Sequence, residues 1–336
     1  MDKVNIKGLA KELNLAISTV SRALRDSYEI SPETKHRVVT LAKKLNYQPN
    51  PYATSLRNQK SRTIGVVIPE IANNFFSLAI KGIQEVAQQK GYHVLIYLTH
   101  EDYKKEVSIA SHLAYGRVDG ILVSISSETN DIAHLEELNN NKIPIVFFDR
   151  ISEKINTTKV TTDDYKSGYS GTEHLIQKGC KKISFLSISE HLSIGVKRMQ
   201  GYIDALKDNN IPVEERLILK ASNDNEENYK NISKLLKSPG RPDGIFASVE
   251  KLAISTYHVC AALGLSIPGD VKVLGFSNLE TASLLNPSLT TITQPAFEIG
   301  KEAATILFEG LSKKIVHPGN KHIIVHSELI ERASTR

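Results

Sequence analysis

Apolar positions recur at helical spacing in three short bursts over residues 1–48. Ile6, Leu9, Ala10 and Leu13 share one face of a first helix, and Val20, Ala23 and Leu24 share one face of a second. A third helix is signalled by Ser31-Pro32-Glu33, with an N-cap, a proline at the first helical position and an acid in the first turn. Val38, Leu41, Ala42 and Leu45 then form its stripe. Stripes this small predict a miniature core. The run Tyr47-Gln48-Pro49-Asn50-Pro51-Tyr52 is a proline-punctuated joint, followed by polar residues as far as Arg62.

From Thr63 the texture changes. Strand-like apolar runs occur at Ile64–Ile68, Val94–Leu98, Ile121–Ile125, Ile145–Phe148, Ile183–Leu186, Ile245–Ala247 and Val271–Phe276. Between most of them lie amphipathic stretches such as Phe76–Gln89, Lys104–Tyr115, Tyr165–Gln177, Met199–Lys207 and Leu252–Leu263. Such alternation predicts an α/β body of parallel sheets covered by helices on both faces. More than 270 residues exceed one ordinary sheet of this kind, so two Rossmann-like lobes with a cleft are expected. In open α/β sheets ligands sit at the carboxyl ends of strands.

Composition adds little except through its distribution. Residues 1–62 hold 12 Lys/Arg against five acids, or +7, whereas residues 63–336 hold 30 against 32. A basic headpiece on a near-neutral body points to an attached nucleic-acid-binding module. The polar start predicts no secretory signal, and no run is long enough to span a bilayer. Cys180 and Cys260 stand in no metal or redox spacing, which fits a reduced, cytoplasmic protein with no metal or cofactor.

Residues 6–24, IKGLAKELNLAISTVSRAL, have the dimensions of a helix-turn-helix. Small Ala10 sits at the helix crossing, Asn14–Ala16 make a brief turn, and a second helix starting near Ile17 offers Ser18, Thr19, Ser21 and Arg22 outward. A helix set into the major groove brings such side chains to base edges, while flanking Lys/Arg hold phosphates. Spacing alone leaves an ordinary helical hairpin as the alternative.

The residues narrow this further. STVSRAL (18–24), ISPET (30–34), LNYQPN (45–50) and SLR (55–57) leading to IGVVIP (64–69) resemble the lactose-repressor/galactose-repressor family of bacterial regulators. The resemblance continues through NNFF (73–76), FFDR (147–150), RMQGY (198–202), PDGIFAS (242–248), IPGDVKVLGFSN (267–278) and LTTITQP (289–295), nearly the whole chain. It implies a homodimer on a roughly palindromic double-stranded operator, a repressor being the expected outcome. Ile17, Ser18 and Arg22 would read the major groove, with Thr19 and Ser21 on phosphates and Asn5, Lys7 and Tyr52 completing the contacts. Asn50 would cap a hinge helix beginning at Pro51, in which Ala53 permits close approach and Leu56 wedges into a base step. Ala16 departs from the Ser or Thr common before the recognition helix, so Ser18 is an alternative cap.

The body resembles the type I periplasmic-binding-protein fold, two lobes joined by three crossovers with ligand between them. The resemblance implies a headpiece over 1–48, a hinge helix and linker over 49–62, and an effector-binding and dimerisation body over 63–336. Its N-lobe would be about 63–161 and 293–320, its C-lobe about 162–292 and 321–336. No long heptad tail follows Glu331, which favours a dimer over a tetramer.

Candidate effector residues lie just past strand ends: Asn73, Asn74, Phe75, Phe76, Ser124, Ser126, Asp149, Arg150, Ser277 and Asn278, with Arg198 opening a C-lobe helix. Carboxylates accept from sugar hydroxyls, Arg donates a fork and an aromatic face stacks on a ring. Asp163 and Asp164 read as helix caps and Glu250 as structural. Many sugar-responsive members carry an Asn-Asp pair at Val249-Glu250 and an acid at Ser277. With Arg150, Arg198 and Lys197 remaining, a sugar acid or sugar phosphate joins a neutral sugar as a possible effector class. An enzyme is disfavoured because P-loop, GxGxxG, GxSxG and HExxH patterns are absent. A transport-type binding protein would share the body but lack the basic headpiece.

Overall fold

The computed structural model describes residues 5–47, 61–115, 117–187, 191–222, 224–313 and 319–336. The chain divides into two compact units, Met1–Ser61 and Arg62–Arg336.

In the first unit α1 (Ile6–Leu13), α2 (Ile17–Ala23) and α3 (Pro32–Lys44) close on Leu9, Ala10, Val20, Ala23, Val38 and Ala42. Asn5 caps α1, its Oδ1 accepting from the Gly8 amide at 3.0 Å. Asn14 ends α1 at φ 51, a left-handed conformation that asparagine tolerates, and so turns the chain towards α2. Ser31 caps α3 through the Thr34 amide, with Pro32 in the first turn. By contrast α2 has Ala16 at its N-cap and no side-chain cap. Ala16→Ser is therefore expected to raise hydrogen-exchange protection of the Ser18 and Thr19 amides in the full chain by roughly 2- to 30-fold, the equivalent of about 0.5–2 kcal/mol. Unchanged exchange would mean that another group already satisfies those amides.

The second unit alternates strand and helix. Its first run comprises β1 (Thr63–Ile68), α4 (Asn74–Gln89), β2 (His93–Leu98), α5 (Tyr103–Leu113), β3 (Gly120–Val123), α6 (Ala133–Asn140), β4 (Ile145–Phe148) and β5 (Lys159–Thr162). After a crossing come α7 (Asp164–Gln177), β6 (Ile183–Ser187), α8 (Ser193–Asp208), β7 (Ile218–Lys220), α9 (Asn225–Lys237), β8 (Gly244–Ala247), α10 (Glu250–Leu263), β9 (Lys272–Phe276) and β10 (Thr290–Ile292). The chain returns for α11 (Ala296–Lys313) and β11 (His322–Val325), then crosses again to β12 (Leu329–Ile330).

Among the described residues these strands form two six-stranded sheets, ordered β11-β5-β4-β3-β1-β2 and β12-β10-β9-β8-β6-β7. Every pairing in the first is parallel; in the second only β10 with β12 is antiparallel. Alternation within strands feeds both faces of the first sheet: Ile64, Val66 and Ile68 join one apolar cluster, Val67 the other.

Three crossings join the lobes, near Asp163, Thr293 and His326. They are tied side by side, the Ser327 amide donating to Asp163 Oδ1 at 2.9 Å and the Thr293 amide to the Glu328 carbonyl at 2.8 Å. Two expected boundaries move. His322–Val325 pair with Lys159–Thr162 in the first sheet, so the last crossing follows Val325 instead of residue 320. Helix α8 starts at Ser193, which puts Arg198 inside it and not at its start. Asp163 occupies the N-cap position of α7 without capping it, being engaged by the crossing, and Asp164 turns inward to Arg198.

Candidate functional site

The first unit presents α2 outward. Ile17 is 46% exposed, Ser18 and Arg22 are exposed, and Thr19 and Ser21 are half-buried. An exposed isoleucine at the start of such a helix suits a thymine methyl, and an arginine suits the guanine edge. Asn5 and Lys7 are also exposed, Asn5 through the cap of α1. Two partners escaped the sequence reading. Arg25 donates Nε to the Ser21 carbonyl at 2.9 Å and Nη2 to its Oγ at 3.1 Å, an i, i+4 pair visible in the spacing. Glu29 pairs with Arg22 at 2.9 Å across a turn that the spacing does not show. The expected hinge contacts Asn50, Tyr52, Ala53 and Leu56 lie outside the described residues.

The second unit holds a cavity of about 820 Å³ between its lobes, at the carboxyl ends of both sheets. Phe75, Phe76, Asp149 and Arg150 line it from the first lobe, Arg198 and Asn278 from the second. Asn73, Glu101, Ser127, Val249 and Glu250 also line it. Asn74, Ser124 and Ser277 stand off the described wall. Asn74 Nδ2 donates across the cleft to the Asn278 carbonyl at 2.5 Å, Ser124 is wholly buried, and Ser277 Oγ donates to Glu250 at 2.5 Å. Glu250 thus brings a carboxylate to the wall where Ser277 has none.

Both arginines are committed to acids. Arg150 Nη1 lies 2.7 and 3.0 Å from the two oxygens of Glu101, and its guanidinium stands over Phe76 at 5.7 Å. Although burial opposes it, Arg150 and the Ser127 amide hold the Glu101 carboxyl below its usual range. Arg198 is wholly buried, donates Nε to Asp164 at 2.8 Å and Nη1 to the Ser248 carbonyl at 2.6 Å, and lies 3.8 Å over the Phe276 ring. Gly168 makes this possible, because a Cβ there would stand 2.2 Å from the Arg198 carbonyl oxygen. Arg198 Nη2 is buried without a hydrogen-bond partner among the described residues.

Strain gathers at the same place. His100, Glu101 and Asp149 all take left-handed backbone conformations, at φ 55, 60 and 60, just past the ends of β2 and β4. Burial pushes the Asp149 carboxyl up to about 6; Arg150 and Arg198 oppose the shift, and Asp164 and Glu101 add to it. The folded pKa lies above the usual 3.8, so Asp149 favours folding at low pH and that contribution is lost as pH rises through 6. Asp149→Asn, which keeps the left-handed backbone accessible, is expected to gain stability relative to wild type between about pH 4 and pH 7. Urea titrations of both proteins across that range would show it; parallel curves would count against a buried, ionising Asp149.

Burial raises the Cys180 and Cys260 thiols to about 12 and about 11, so neither is a nucleophile near neutral pH. No helix among the described residues is long and apolar enough to cross a membrane.

A helix-turn-helix unit joined to a two-lobed body closed on a polar cavity defines a DNA-binding regulator with a small-molecule domain. Residues 5–50 match the family described as "Bacterial regulatory proteins, lacI family", and residues 61–330 match "Periplasmic binding proteins and sugar binding domain of LacI family". The chain belongs to the LacI family: it is a DNA-binding transcriptional regulator with a sugar-binding domain, and not an enzyme. It is 33% identical over 336 residues to HTH-type transcriptional regulator RegA of Clostridium acetobutylicum, covering 99% of each chain. The fold matches that of the lac repressor dimer bound to operator and an anti-inducer, with a TM-score of 0.86 at 21% identity and 99% coverage of both chains. A LacI family regulator from Enterococcus faecium with bound ribose matches at TM-score 0.70 and 26% identity, over 81% of this chain and 98% of that one.

Proposed function

We propose that the chain acts in the cytoplasm as a homodimeric repressor of a palindromic operator, its grip controlled by a small polyhydroxylated effector held between the lobes. The assignment of 1–48 to base reading, 49–62 to the hinge and 63–336 to effector binding and dimerisation belongs to this reading, with the strand β11 returned to the first lobe. Ile17, Ser18 and Arg22 read bases; Asn5, Lys7, Thr19 and Ser21 hold the backbone, and Asn50, Tyr52, Ala53 and Leu56 act in the hinge.

One observation carries the effector class. Asp149 from the first lobe and Arg198 from the second line one cavity, the first a strained buried acceptor and the second carrying a buried donor, Nη2, without a hydrogen-bond partner among the described residues. Vicinal hydroxyls can donate to the first and accept from the second, while Phe75 and Phe76 meet the apolar side of a ring. A ligand bridging the lobes changes their equilibrium through its differential contacts, and so the grip on DNA. With Arg150 and Arg198 already neutralised by Glu101 and Asp164, a neutral sugar fits better than a sugar acid or phosphate. The ribose held by the Enterococcus faecium relative supports the same class.

The test has two arms. The full-length protein is used to select duplexes from a randomised pool, and a thermal-shift panel compares neutral sugars, sugar acids and sugar phosphates. A selected palindrome whose binding changes with a stabilising neutral sugar supports the proposal. Failure to enrich any sequence would overturn the DNA reading; stabilisation by an anionic member above its neutral parent would overturn the effector class.

A further inference from the structure

We propose that Glu29 is a specificity-determining residue: it positions Arg22 to read a guanine and weakens that arginine's contacts with DNA of other sequence. The inference rests on the reading that Arg22 faces base edges.

The turn after α2 is folded back on Arg22 itself. The Ser27 amide donates to the Arg22 carbonyl at 3.1 Å, and Asp26 takes a left-handed conformation at φ 57. The Ile30 amide closes the turn on the Ser27 carbonyl at 3.2 Å. This brings Glu29 Oε2 within 2.9 Å of Arg22 Nη1, with both side chains about half exposed. Neighbouring cations are engaged elsewhere: Lys35 lies 2.7 Å from Asp26, and Arg25 is bound to Ser21. The Glu29 carboxylate is thus left to Arg22.

Held at Nη1, the guanidinium keeps Nε and Nη2 to donate side by side. Guanine offers two acceptors, O6 and N7, in matching disposition in the major groove. A held arginine loses less rotamer entropy on reaching that edge than an unrestrained one. A phosphate can take the same two donors, but it carries a full negative charge that Glu29 repels, whereas guanine O6 and N7 carry only partial charges. Glu29 therefore lowers affinity for all DNA but lowers it least where a guanine is placed to meet Arg22.

The test compares a duplex selected from a randomised pool by the full-length protein with a scrambled duplex of the same length and composition. Glu29→Gln is expected to bind the scrambled duplex more tightly, and its selected-to-scrambled ratio should fall roughly 3- to 10-fold. Its salt dependence on scrambled DNA should steepen by up to about 0.9 in log–log slope, since Arg22 becomes available to phosphate. Glu33→Gln removes the same charge from the exposed first turn of α3 and should leave the ratio unchanged. In an Arg22→Ala background, Glu29→Gln should no longer alter the ratio, because the coupling partner is gone. An unchanged ratio for Glu29→Gln, or the same change in both backgrounds, would overturn the proposal. Should Arg22→Ala weaken both duplexes equally, the underlying reading of Arg22 fails first, and that result is separately visible.

Discussion

Asp164→Ala is expected to destabilise the second unit by about 3–5 kcal/mol, the cost of leaving a buried charge without its partner. Arg198 has no exposed surface. Its Nε loses the 2.8 Å bond to Asp164, and Nη2 has no hydrogen-bond partner among the described residues. The Ser248 carbonyl and the Phe276 ring remain, but neither carries a compensating charge. Asp149 lies on the same cavity and feels the Arg198 charge, so its carboxyl should be drawn down when Asp164 is removed. Urea denaturation at neutral pH would measure the loss. Replacing both partners, Asp164→Leu with Arg198→Met, should recover much of it, since an apolar pair of similar volume avoids the desolvation of two ions. A loss below about 1 kcal/mol in Asp164→Ala would show that water or another carboxylate reaches Arg198.

The second large effect is on DNA. Arg22→Ala is expected to weaken binding to a selected operator by about 1–3 kcal/mol beyond any loss on scrambled DNA, roughly 5- to 150-fold. The side chain is exposed in the last turn of α2, so the change removes a contact without opening the core formed by Val20 and Ala23. Lys7→Ala, by contrast, should weaken both duplexes nearly equally and flatten the salt dependence, as a phosphate contact would. Competition titrations at two salt concentrations separate the cases. Equal losses for Arg22→Ala on both duplexes would reduce it to a phosphate anchor.

Much of the architecture was legible along the chain because it depends on local rules. Ser31-Pro32-Glu33 marks a helix start through capping and proline geometry alone, and α3 begins at Pro32. Runs such as Ile145–Phe148 are strands buried on both faces, as a covered parallel sheet requires. Short or edge strands were less readable. Lys159–Thr162 and Thr290–Ile292 are rich in threonine, and His322–Val325 is an edge strand with alternate residues exposed. Helix α11 stood outside the named elements, although Ile299, Ala303 and Leu307 recur at i, i+4 and i+8 and mark it.

The sequence by itself determined the basic helix-turn-helix start, the two-lobed α/β body and the family, since periodicity, caps and motif order are properties of neighbouring residues. Tertiary structure alone decided how the chemistry is shared among them. Asp164 reads as a helix cap, yet it balances Arg198, 34 residues further on. Glu101 carries no motif, yet it neutralises Arg150 from 49 residues away. Asn74 and Asn278 read as ligand groups, and the Asn74 side-chain amide donates to the Asn278 backbone carbonyl across the cleft, 204 residues apart. Charges find their partners in space, and burial makes an unpaired one costly, so each pairing follows from which strand ends the fold brings together.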